Sequence, residues 1–83
     1  MKAKYIKDPT YITKYDSFKK LYEFTKPRSP ISILFCTDDE DEWLIDIVKY
    51  RTRSQEVTNN FVILAKDLER WIEIYENQGF IKK

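Results

Sequence analysis

Residues 31–50 read ISILFCTDDEDEWLIDIVKY, and this stretch decides the fold. Two apolar runs, Ile31 to Thr37 and Trp43 to Tyr50, flank five consecutive carboxylates, Asp38, Asp39, Glu40, Asp41 and Glu42. Alternate residues of a strand point to opposite faces. Ile31, Ile33 and Phe35 therefore share one side of the first run, and Ser32, Leu34 and Cys36 the other. Its nearly continuous hydrophobicity predicts a central strand, covered at least partly on both faces. In the second run Trp43, Ile45 and Ile47 lie opposite Leu44, Asp46, Val48 and Tyr50, and Asp46 marks the second side as wetter. Like charges crowded together repel, so the acidic segment is predicted to be a solvated turn or a surface facing a positive partner.

Outward from this hairpin, Val57 to Leu64 predicts another strand, and an N-terminal strand is expected within Lys4 to Tyr15, with a break at Pro9. Leu68, Trp71, Ile72 and Tyr75 recur at helical spacing and predict a helix over about 66–78, with Gly79 placed for a left-handed C-terminal cap. Phe18, Leu21, Tyr22 and Thr25 repeat that spacing. They predict a second helix over about 17–26, capped by Asp16 and stopped by Pro27. The expected fold is α+β, in the order β-α-β-β-β-α: a small antiparallel sheet of three to four strands with two helices packed on one face. A chain of 83 residues is expected to make a single domain, residues 1–83.

Composition removes most enzyme classes. Histidine is absent and glycine occurs once, which leaves no base for a Ser or Cys nucleophile and no glycine-rich phosphate loop or nucleophile elbow. Cys36, set between Phe35 and Thr37 in an apolar run, reads as a small buried hydrophobe. A lone cysteine forms no internal disulfide, and no apolar run is long enough to span a bilayer. A cytoplasmic chain without membrane contact is expected. The acidic segment lacks the ligand alternation and central glycine of an EF-hand loop. No cofactor, metal site or catalytic residue is expected, and a divalent-metal phosphodiester enzyme built on Asp38, Asp39 and Asp46 is the least favoured reading.

Charge is segregated along the chain. Residues 1–30 carry a net charge of +5, residues 31–48 carry −6 and residues 49–83 carry +2. Acidic docking elements accelerate association with basic surfaces, so Asp38, Asp39, Glu40, Asp41 and Glu42 are candidates for contact with a larger protein. Phe24 and Ile74 sit off the apolar faces of their expected helices, and Val48 lies on the wetter strand face. These three are candidate apolar contacts with that partner or with a second copy. Lys49, Tyr50, Arg51 and Arg53 interleave cations with an aromatic ring, a pattern that suits phosphates and stacked bases. The residues thus predict a small non-enzymatic protein-binding regulator or inhibitor, of the kind common among bacteriophage accessory proteins. The alternative is a single-stranded nucleic-acid binder.

Overall fold

A computed structural model describes residues 18–50 and 55–83. Four strands, β1 (Lys20–Thr25), β2 (Ile31–Thr37), β3 (Glu42–Tyr50) and β4 (Gln55–Leu64), form an antiparallel meander. A short 3-10 turn, Ala65–Asp67, leads into the helix α1 (Leu68–Asn77), and the chain ends in β5 (Ile81–Lys82). The sheet order is β4-β3-β2-β1-β5, so α1 carries the chain from one edge of the sheet to the other.

The two-helix α+β expectation is overturned. Among the described residues the fold is mostly β, with one helical unit of thirteen residues counting the 3-10 turn. The segment expected as a helix over 17–26 supplies β1 instead. Its apolar residues satisfy both periods: Tyr22 and Phe24 fall on one side of a strand as readily as Leu21 and Tyr22 fall on one side of a helix. A lone ten-residue helix ending at a proline is marginal in water, whereas β1 gains a full ladder with β2, from Lys20–Thr37 to Thr25–Ser32. Pro27 then opens a tight turn. Ser29 N–H donates to Lys26 C=O at 3.2 Å, and Arg28 takes a φ of 64° in a position usually filled by glycine or asparagine. The N-terminal strand expected within residues 4–15 lies outside the described residues.

Both faces of the sheet are apolar. On the first, Phe24, Ile33, Phe35, Trp43, Ile45 and Ile63 pack with Tyr75 of α1 and with Phe80. Trp71 sits against Phe61 at 5.0 Å between ring centroids, and Tyr75 meets Phe35 edge-on at 6.0 Å. Gly79, with a φ of 102°, ends α1. Phe80 N–H reaches back to Tyr75 C=O at 3.1 Å while the two rings meet edge-on, the paired hydrogen bond and apolar contact of a Schellman cap. That reversal aims Ile81 and Lys82 at β1, where they pair with Thr25 and Phe24.

On the second face, Leu34, Cys36, Leu44, Val48 and Val57 form another buried cluster, with Phe18 and Tyr50 packed against it. The expectation that Asp46 marks a wetter side fails here, because Asp46 is itself fully buried among these residues. Among the described residues no helix is long and apolar enough to cross a membrane.

Candidate functional site

Asp38 to Asp41 form the turn between β2 and β3, Glu42 opens β3, and the turn is held by its own Asp39 and by Thr37 at the end of β2. Thr37, buried at the end of β2, donates its hydroxyl to Glu42 C=O at 2.7 Å and accepts from Glu40 N–H at 2.8 Å. Asp39 Oδ1 accepts from the N–H groups of Asp41 at 2.9 Å and Glu42 at 3.3 Å, and these bonds hold its carboxyl below the usual range. Glu40 adopts a φ of 66°. Lys20 lies 3.0 Å and Lys19 3.4 Å from its carboxylate oxygens. The hydrogen bond from Lys20, and then its charge, hold the Glu40 carboxyl low and raise the Lys20 ammonium in return. Asp39 and Glu40 are therefore engaged within the fold, while Asp38 and Asp41 stand exposed.

Thr37→Val tests this account of the turn. The substitution keeps the shape, removes one donated bond and leaves Glu40 N–H without its acceptor. A loss of about 1–3 kcal/mol in chemical denaturation is expected, with Thr37→Ser restoring most of it. An unchanged midpoint would show that the turn does not depend on the hydroxyl.

The register brings the end of β4 beside this turn. Glu42 pairs with Leu64, Leu44 pairs with Val62, and Ala65 N–H donates to Asp41 C=O at 2.8 Å. Val62 and Leu64 lie on the second face, two residues apart on one strand, and are 41% and 48% exposed. An apolar pair is thereby bordered by Asp41 and Glu42 at the corner of the sheet. The sequence reading missed Val62 and Leu64, although their alternation with Phe61 and Ile63 makes β4 apolar on both sides, which an edge strand cannot fully bury.

The other candidates are distributed differently. Phe24 and Val48 are core residues, 1% and 0% exposed, so neither offers a surface in the folded protein. Phe24 left the apolar side of the expected helix only because the segment is a strand; as a strand residue it points into the first-face cluster. Ile74 is half-buried on α1, outside the cluster that holds Trp71, Ile72 and Tyr75. Lys49 and Tyr50 are both half-buried, and Tyr50 packs against the second-face cluster rather than presenting a free ring. Arg51 and Arg53 lie outside the described residues.

Two groups with chemical potential are sealed in the second face. Burial, and secondarily the charge of Asp38, push the Cys36 thiol well above its ordinary value, which makes it inert as a nucleophile near neutral pH. Asp46 lies between Leu34 of β2 and Asn60 of β4. Burial raises its carboxyl to about 7, against an opposing hydrogen bond from Asn60. Asp46 stands four positions along β3 from Glu42, so it does not join Asp38 and Asp39 in one site. Among the described residues no group of three or more Cys, His, Asp or Glu side chains is gathered to hold a metal ion. Compared with family models, curated proteins and solved structures, the chain matches none.

Proposed function

We propose that this chain is a non-enzymatic binding protein that regulates or inhibits a larger protein, docking through the corner where the β2–β3 turn meets the end of β4. The observation that carries this reading is the adjacency of two exposed apolar side chains, Val62 and Leu64, to an acidic border. Apolar centres with polar rims are the usual anatomy of protein contact surfaces. The partner chemistry that fits is an apolar recess rimmed by Lys or Arg. Asp38 and Asp41 steer the encounter, and Leu64 anchors the complex once formed.

Affinity capture with the wild-type chain, run beside the Leu64→Ser and Asp38→Asn/Asp41→Asn variants, supplies the partner and the test together. A specific partner is retained by the wild type and reduced by both variants. Kinetics on that partner then separate the two roles. The Asn pair slows association by a factor on the order of 10, with a weaker salt dependence, and Leu64→Ser speeds dissociation. A partner that binds both variants as it binds the wild type removes this corner as the docking site. Binding of labelled single-stranded oligonucleotide by the wild type at low salt would instead favour the nucleic-acid alternative.

A further inference from the structure

β4 is the edge of the sheet, and no described strand lies beyond it. The ladder with β3 fixes which of its backbone groups face outward. In an antiparallel pair, residues that exchange hydrogen bonds with the neighbour alternate with residues whose N–H and C=O point away. Ala65 N–H bonds inward to Asp41 C=O, one step beyond the Glu42–Leu64 pair. Ile63 and Phe61 therefore bond inward, and Asn60, Val62 and Leu64 turn their N–H and C=O groups to the outside.

Edge strands are normally blunted by proline, lysine, short length or a bulge. From Gln55 to Leu64 there is no Pro, Gly, Lys or Arg, and Glu56 is the only charge. Asn59 pairs with Ile47 and Val57 with Val48, so Thr58 is an extra residue that bulges the first half of β4. The stretch Asn59 to Leu64 stays regular.

We propose that this regular stretch pairs antiparallel with the same stretch of a second copy of the chain, about a two-fold axis through Val62. Val62 then opposes Val62, and Asn60 opposes Leu64, in hydrogen-bonded pairs that satisfy the outward groups of all three residues in both copies. On the helix-bearing face, Phe61 opposes Ile63. Val62 and Leu64 of the two copies form one apolar strip with an acidic turn at either end. This contact stands apart from the partner reading: a chain that stays single yet binds its partner through Leu64 defeats the dimer alone.

Analytical ultracentrifugation over a concentration series, combined with residue-resolved amide exchange, tests the pairing. Mass is expected to rise from one chain toward two as concentration increases, with Asn60, Val62 and Leu64 amides slowing in step. Val62→Lys sets two ammonium groups face to face at the axis and should return the one-chain mass with an unchanged circular dichroism spectrum. Leu64→Pro is a second probe, because φ at Leu64 is −83°, close to the proline value, and the N–H it removes bonds nothing within the sheet. It should weaken association about tenfold or more. A one-chain mass throughout, or a dimer that survives both variants, overturns the proposal. Protection of these amides in the one-chain species would assign the edge to another segment of the same chain and overturn it equally.

Discussion

Phe35→Ala is expected to lower the unfolding free energy by about 3–5 kcal/mol. Phe35 is fully buried at the centre of β2, edge-on to Phe24 at 5.4 Å and to Tyr75 of α1 at 6.0 Å. It is thus the side chain through which β1, β2 and the helix share one core. Removing the ring leaves a cavity that neither a fully hydrogen-bonded central strand nor its flanking partners can move to fill. Small domains are stable by only about 5–15 kcal/mol in total, so the variant loses a large fraction of its margin. Phe35→Leu, closer in volume, should cost much less. Trp71→Ala should also cost less than Phe35→Ala, because Trp71 is half-buried and rests on Phe61 from outside. Urea denaturation of the three variants checks the ranking, and a loss below about 1 kcal/mol for Phe35→Ala would contradict the packing.

Stability of the wild-type chain should fall as pH rises from about 4 to about 7. The ordinary carboxyl value of Asp46 is 3.8, and burial lifts it to about 7 in the folded chain. The folded state therefore holds this proton more firmly than the unfolded state does. The contribution is fully present below the unfolded value and is lost as pH climbs through the folded one. A tenfold difference in proton affinity between the two states corresponds to about 1.4 kcal/mol, so the loss across the window is on the order of a few kcal/mol. Asp39 and Glu40, whose carboxyls are held low, act in the opposite sense and lose their contribution as pH drops below the usual carboxylate range. Asp46→Asn keeps the shape and removes the charge. Denaturation midpoints at about pH 5 and about pH 8 should differ clearly in the wild type and converge in the variant. Equal wild-type midpoints would mean that Asp46 ionises as easily inside the fold as outside it.

The hairpin was legible because its signals agree. Ile31 to Thr37 is apolar on both sides, as a doubly covered strand must be, and the carboxylates between the runs mark a turn, the last of them, Glu42, already pairing in β3. The helix was legible for a similar reason: the spacing and Gly79 both mark the same segment. The stretch from Phe18 to Thr25 was not, because Phe18, Leu21, Tyr22 and Thr25 fit a helix while Tyr22 and Phe24 fit a strand. Only pairing with β2 decides between them, and that pairing is tertiary. Phe24 carried the missed signal, since a large aromatic off the face of a helix lies on the face of a strand. Asp46 misled in the opposite direction. A carboxylate ordinarily marks water, but a sheet with two apolar faces has no wet side at its centre. Val62 and Leu64 became visible as an exposed apolar pair only when the sheet order placed β4 at an edge.

The crossing of α1 to β5 makes the last strand the most sequence-distant pairing of the sheet. Each turn of the meander joins neighbours in sequence, whereas Phe24 and Lys82, which meet across β1 and β5, are about 60 residues apart, and closing so long a loop has the larger entropic cost. Local hairpin pairing therefore costs less chain entropy than the β1–β5 pairing, which favours late docking of β5. Contacts made after the rate-limiting step govern how fast the structure comes apart, not how fast it forms. If β5 docks after that step, shortening it should speed unfolding and leave the folding rate unchanged.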